Sequence, residues 1–320
     1  MLKSKGFYMV VLKIIGCILL FLLVFAASAA ITVIRTVTAP HKLLATEWND
    51  GTGTKYGDLS YPNEYDNRYD LYIPAGLDSK KGHALILFIH GGGFTSGEKE
   101  SGDIWCKYFA AQGYITATME YTVHNKAHTS DLNRMNQEVD ACVTAIYECC
   151  MELGYRITQM AATGESAGGC LAMLYAYSRT DTAIIPVKFV FQLTGPAHFD
   201  PAGWGHIEPA SAAEFLSLMT GKTITEDMIL SGEAEVYWKE ISPAYLVDEK
   251  TVPTLCGYGL HDKIVPPKLK EALFSAFEQY GVPYDYIEYP NSNHIMCHDL
   301  DKSQLYIDKA EEYCKHYFGY

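Results

Sequence analysis

Ser166 stands in Gly164-Glu165-Ser166-Ala167-Gly168, a G-x-S-x-G pentad followed by Gly169. A serine hydroxyl is a weak nucleophile until a neighbouring base takes its proton and nearby donors stabilise the charge that develops. G-x-S-x-G serves that chemistry when it joins a strand to a helix. The sharp turn lifts the serine above the sheet, and small flanking residues permit its strained backbone. Here an apolar stretch precedes the pentad and an Ala-rich stretch follows it. Upstream, His90-Gly91-Gly92-Gly93-Phe94 closes the apolar run ALILFI. Such a loop brings backbone N–H groups up to a tetrahedral oxyanion. The rival for it is a phosphate-binding glycine loop, which would need a following G-K-S/T that is absent. An acid and then a histidine are expected after the serine in chain order. Asp262, in Gly-Leu-His-Asp262-Lys-Ile-Val-Pro, and His294 meet that order. His298 is the alternative histidine, and Glu288 and Asp299 are weaker alternative acids by position.

The elements that would carry these residues alternate. Strands are expected at Tyr69–Ile73, which alternates with period two and reads as half-exposed, and at Ala84–Ile89, Ile115–Met119, Gln159–Thr163, Val187–Leu193, Val252–Gly257 and Tyr284–Tyr289. Between them, helical periodicity covers Leu132–Leu153, Ala167–Tyr177, Leu269–Tyr280 and Lys302–Phe318. Strands alternating with helices predict an α/β fold, with a mostly parallel sheet covered on both faces. From Thr194 to Pro253 no convincing strand occurs, and short helices are expected at Ala210–Met219, Glu226–Leu230 and Glu233–Lys239. So long a connection inside a compact domain is usually functional. It is expected to act as a cap over the site, residues 194–250, with Phe94, Trp204, Tyr237 and Trp238 as substrate-binding side chains.

These features resemble the esterase/lipase branch of the α/β-hydrolases related to hormone-sensitive lipase, especially its feruloyl and acetylxylan esterase-like group. The resemblance rests on LILFIHGGGFTSGEK, GESAGG and GLHDKIVP, and covers roughly Tyr69 to Phe318. It implies that the N–H groups of Gly92, Gly93 and Ala167 form the oxyanion hole and that His90 supports its loop. It also matches Asp262 to the acid position of a G-x-x-D-x-x-V-P pattern. The family usually has glycine beside the catalytic histidine, where this chain has Asn291-Ser292-Asn293; asparagine tolerates left-handed backbone angles that would let the loop form. The implied activity is carboxylic ester hydrolysis through an acyl-enzyme, with acetyl or feruloyl esters on carbohydrate as substrates and with no metal and no organic cofactor. Amide or peptide hydrolysis of a formamidase or aminopeptidase kind is the alternative. A non-catalytic adhesion or scaffold protein would typically lack one of the three residues, and all are present.

The formal net charge is −13, and residues 1–35 contain four basic residues and no acid, so the acidic excess lies wholly in the remainder. That balance excludes nucleic acid as an expected partner. From Ile14 to Ile34 no residue is charged, and Lys3, Lys5 and Lys13 precede the run. Residues 1–35 are therefore expected to be a membrane anchor or a signal peptide cleaved near Ala27-Ser28-Ala29, with the rest exported. A lipidated Cys17 is a weaker option. Residues 36–65 then read as a polar connector and 66–320 as the catalytic domain. The nine cysteines have no scaffold spacing and are expected to be free, mostly buried thiols.

Overall fold

The computed structural model describes residues 30, 31, 33–205 and 207–319. Eight strands form a single sheet: β1 (Gly53–Ser60), β2 (Arg68–Pro74), β3 (Gly82–Ile89), β4 (Ile115–Met119), β5 (Arg156–Glu165), β6 (Val187–Leu193), β7 (Thr254–Gly259) and β8 (Tyr284–Tyr289). Their order is β1-β2-β4-β3-β5-β6-β7-β8. The β1–β2 and β2–β4 pairs are antiparallel and every later pair is parallel. This is the expected α/β-hydrolase architecture.

A helical segment over 33–43, α1, precedes the sheet. It is followed by α2 (Asp103–Ala111), α3 (Leu132–Glu152), α4 (Ala167–Ser178), α5 (Pro209–Thr220), α6 (Glu226–Ser231), α7 (Glu235–Glu240), α8 (Leu269–Tyr280) and α9 (Leu300–Phe318). Side chains alternate across the sheet as the pleat requires. Leu85, Leu87 and Ile89 of β3 join one core with α3, α4 and α8. Ala84, Ile86 and Phe88 join the other with α2 and α9. Fully burying each such large side chain is worth about 1.5–3 kcal/mol, so both cores contribute to holding the sheet. The insertion packs its helices on the first face, through Leu216, Met219 and Trp238. Leu44, just beyond α1, packs on the second.

Two expectations are corrected here. β2 is buried on both faces, not half-exposed, because Leu71 and Ile73 face one core while Tyr72 faces the other. The stretch 36–65 is not a plain connector: it holds most of α1 and the edge strand β1. That strand carries few apolar side chains, so hydrophobic periodicity does not announce it. It is held instead by charge: Lys55 Nζ lies 2.8 Å from Asp70, and buried Lys99 lies 3.1 Å from Asp70 and 2.9 Å from Asp58.

The proposed anchor or signal peptide falls almost wholly outside the described residues. Among the described residues no helix is long and apolar enough to cross a membrane. The eight described cysteines are unpaired thiols, seven of them buried.

Candidate active site

The register of the parallel strands brings four chain-distant loops to one end of the sheet. Ile89 at the end of β3 pairs with Gly164 near the end of β5, so the glycine loop lies beside Ser166. Gly259 at the end of β7 pairs with Tyr289 at the end of β8, so the loops carrying Asp262 and His294 are neighbours. Loops at the carboxyl ends of parallel strands are where this class of sheet places its chemistry.

Ser166 has φ 55° and ψ −121°. That region costs a non-glycine residue about 1–3 kcal/mol. Its N–H donates to Leu193 O at 2.8 Å, and its carbonyl accepts from Cys170 N at 3.1 Å, which hold the turn between β5 and α4. The flanking glycines are required by close approach. A Cβ on Gly168 would lie 1.9 Å from Ile89 O, and one on Gly164 would lie 2.5 Å from the same oxygen.

The three residues predicted as a triad meet in space. His294 Nε2 is 2.9 Å from Ser166 Oγ, and His294 Nδ1 is 2.7 Å from Asp262 Oδ2. The Asp262 side chain is 1% exposed, and its other oxygen accepts the N–H groups of Ile264 (2.8 Å) and Val265 (2.9 Å). Those two bonds fix the carboxylate so that Nδ1 carries the proton and Nε2 is free to face the serine. His298 is exposed, and its backbone N–H donates to Ser292 Oγ at 3.1 Å. Glu288 is exposed on β8.

The amides of Gly92, Gly93 and Ala167 donate to no protein acceptor among the described residues. For Ala167 the reason is general, since the first N–H groups of a helix have no partner within it. Gly92 adopts φ +117°, and a Cβ there would lie 2.0 Å from Ser96 O. His90 supports this loop from beneath. It is buried, stacks on Tyr121 with ring centroids 4.2 Å apart, and its Nδ1 lies 2.7 Å from Gly91 O. Burial pushes its pKa down, toward the neutral imidazole that this geometry needs.

The histidine loop forms without glycine, by a device absent from the sequence expectation. Asp299 accepts from Asn291 N (3.0 Å), Asn291 Nδ2 (2.7 Å) and Ser292 Oγ (2.7 Å). The residue with left-handed angles is Met296, φ 58°, and neither Asn291 nor Asn293. Burial opposes ionisation of Asp299, but these hydrogen bonds outweigh it and hold its carboxyl below the usual range. In the sequence the signal is an acid eight residues beyond Asn291, at a position that also suits a rival catalytic acid.

A cavity of about 510 Å³ opens beside Ser166 and His294. Its wall comprises Val37, Pro40, His41 and Leu44 on one side, and Tyr306 and Ile307 of α9 on another. The four N-terminal positions follow i, i+3, i+4, i+7, one face of a helix, a spacing present in the sequence of a stretch whose polar composition reads as a connector. Glu165, beside Ser166, also lines the cavity and accepts from Trp105 Nε1 at 3.0 Å. Burial raises its carboxyl above the usual range, against the opposing influence of His41, the Trp105 bond and His294.

None of the four side chains expected to bind substrate lines this cavity. Phe94 is buried, its ring 6.3 Å from Phe199. Trp204 packs between Phe199 and Phe215 and donates to His198 O at 3.2 Å. Tyr237 packs against the core beneath the insertion, and Trp238 lies against His198 and Tyr245. Among the described residues of 194–250, only Thr194 lines the cavity. The short helices of the insertion have little apolar surface each, so their aromatic rings are consumed in covering one another.

Comparison with known proteins follows the same outline. The BD-FAE family model matches residues 69–277. A probable isoprenylcysteine alpha-carbonyl methylesterase from Oryza sativa subsp. japonica is 23% identical over 244 residues, 73% of this chain. The chain spans 56% of that relative's length. A truncated carbohydrate esterase from gut microbiota superposes with a TM-score of 0.68 at 16% identity, covering 85% of this chain and 99% of that one. Esterase 2 of Thermogutta terrifontis gives 0.64 at 18% identity over 82% and 92% of the two chains. Esterase B of Lactobacillus rhamnosis gives 0.64 at 20% identity over 91% and 95%. At these identities the structural likenesses speak for the fold.

Proposed function

The chain belongs to the BD-FAE family, and from that premise we propose that it is a serine carboxylesterase with Ser166 as nucleophile, His294 as general base and Asp262 as its orienting acid. The observation that carries this is the continuous hydrogen-bonded line from Asp262 Oδ2 through His294 to Ser166 Oγ, at 2.7 and 2.9 Å. His294 Nε2 takes the proton from Ser166 Oγ as that oxygen bonds to the ester carbonyl carbon. The carbonyl oxygen becomes an oxyanion held by the amides of Gly92, Gly93 and Ala167, and one such donor is worth roughly 3 kcal/mol. The tetrahedral intermediate collapses, the C–O bond to the alcohol breaks, and His294 hands its proton to the leaving alkoxide. Water then repeats the sequence on the acyl-serine. Its proton goes to Nε2, its oxygen attacks the carbonyl carbon, and the acid leaves as Ser166 recovers the proton. Asp262 stabilises the imidazolium in both halves.

As substrates we propose acetyl or feruloyl esters, on carbohydrate or small alcohols, in keeping with the resemblance. An exported, membrane-anchored or secreted location through residues 1–35 is proposed with them. The test is hydrolysis of p-nitrophenyl esters, acetylated xylan and methyl ferulate, with p-nitroanilides as the amide comparison. Ester turnover that disappears in Ser166→Ala is the expected result. Faster cleavage of anilides than of matched esters would make the protein an amidase.

A further inference from the structure

We propose that residues 37–44 form the chain-selecting wall of the active-site cavity, and that the ester cleaved at Ser166 carries an apolar chain of several carbons on its acyl or its alcohol side. This rests on the serine-esterase mechanism above and narrows its substrate. The cavity's volume, about 510 Å³, lies within the range that encloses a drug-sized ligand. An acetyl group would fill a small corner of it. Val37, Pro40 and Leu44 contribute apolar side chains to the lining, as does Ile307 of α9. At the rim, Ile264 and Ile295 line the cavity while remaining 62% and 55% exposed. Aliphatic side chains at the mouth of a cavity offer apolar surface that a ligand's chain would cover. Leu44 is 2% exposed and packs into the core shared with α2 and α9, so this end of the wall is fixed to the domain.

Residues 37–44 and 289–307 lie outside the stretch 69–277 that matches the family, whereas the rim residue Ile264 lies within it. Part of the wall is thus contributed by segments that family membership does not define.

The experiment measures kcat/KM of the full chain on two series: p-nitrophenyl acetate to decanoate, and ethyl to decyl acetate. The first lengthens the acyl side and the second the alcohol side. In one series the rate constant is expected to rise roughly fourfold per methylene over the first several carbons, the limit for a fully buried CH₂. Val37→Trp is expected to lower the long-to-short ratio at least about tenfold in that series, as the loss of roughly two such methylenes. Val37→Ala, which removes bulk and leaves α1 intact, is expected to move the optimum to a longer chain. A flat response in both series overturns the proposal and leaves the esterase mechanism standing. A chain-length response unchanged in both Val37 variants overturns the wall. Failure of the wild-type chain to cleave any ester or to react with a fluorophosphonate overturns the esterase mechanism, and this proposal with it.

Discussion

The insertion between β6 and β7 and the segment 33–44 both lie outside the strand–helix repeat, yet they meet the active site differently. The insertion is rich in large rings, among them Trp204, Phe215, Tyr237 and Trp238, and its length suggests a lid. Its rings turn to one another and to the core on the α3, α4 and α8 face. Segment 33–44 is short and holds no aromatic ring other than His41, but it supplies four positions to the cavity wall. The difference lies in which neighbour each segment has to cover. Helices of six residues, such as α6 and α7, bury little surface alone, so their large side chains assemble into a local core. A single helix laid across the mouth of a cavity has one apolar face and one place to put it. Aromatic content therefore identifies a region that must pack, whereas the position of a helix face relative to the nucleophile identifies what touches substrate.

The comparison presupposes that Ser166 is the centre from which both regions are judged, and the largest expected effect tests that. Ser166→Ala should lower ester turnover by about three orders of magnitude or more, abolish fluorophosphonate labelling and leave the melting temperature within a few degrees of the wild type. Undiminished labelling of a folded Ser166→Ala protein would move the centre and dissolve the comparison. Next, His294→Ala should cost orders of magnitude in kcat while His298→Ala costs less than about threefold. If the two traded places, the cavity wall at 295–307 would belong to a different loop arrangement.

A smaller effect is expected from Asp299→Asn, which removes the charged acceptor that shapes the histidine loop. Hydrogen bonds to a charged group are worth about 1.5–3 kcal/mol, so a loss of roughly tenfold in kcat with KM little changed is the expected signature of a misplaced base. The pH dependence has a definite sign. A carboxyl held below its unfolded-state value stabilises the fold fully above that value, about 3.9 for aspartate, and the stabilisation disappears as pH falls through the lowered folded value. The wild-type melting temperature should therefore drop more steeply than that of Asp299→Asn on titration below about pH 4. Parallel curves would mean that Asp299 contributes nothing through its charge.

The smallest effect on catalysis is expected in the insertion, whose aromatic rings the sequence offered as substrate contacts. Trp238 is 8% exposed, and Trp238→Ala should destabilise the protein by about 3 kcal/mol, the lower end for truncating a buried aromatic ring. The ratio of rates on long and short esters should stay at the wild-type value, since Trp238 does not line the cavity. A shift in that ratio as large as the one expected for Val37→Trp would return the insertion to the site.

Much of the molecule was legible before any coordinates. Ile115–Met119, Val187–Leu193, Leu269–Tyr280 and Tyr284–Tyr289 have the bounds that periodicity assigns them, because each is long and regular enough for its burial pattern to dominate its composition. Ser166, Asp262 and His294 were legible for a different reason. A strained elbow needs its glycines, an oxyanion loop needs its own, and chain order restricts what remains. These are local demands, and local demands leave local traces. The edge strand β1 left none, since it is held by Lys55, Asp70 and Lys99 across a distance in sequence. The brace from Asp299 to Asn291 and Ser292 was visible only as an acid near a histidine. The wall at 37–44 shows a helical spacing in sequence, but which cavity that face meets is decided by the packing of Leu44 beside α2 and α9. The proposed nucleophile, base and acid were thus indicated by residue type and order, while the shape of the space beside them was decided by tertiary packing, because a cavity is bounded by side chains that need share nothing but their position.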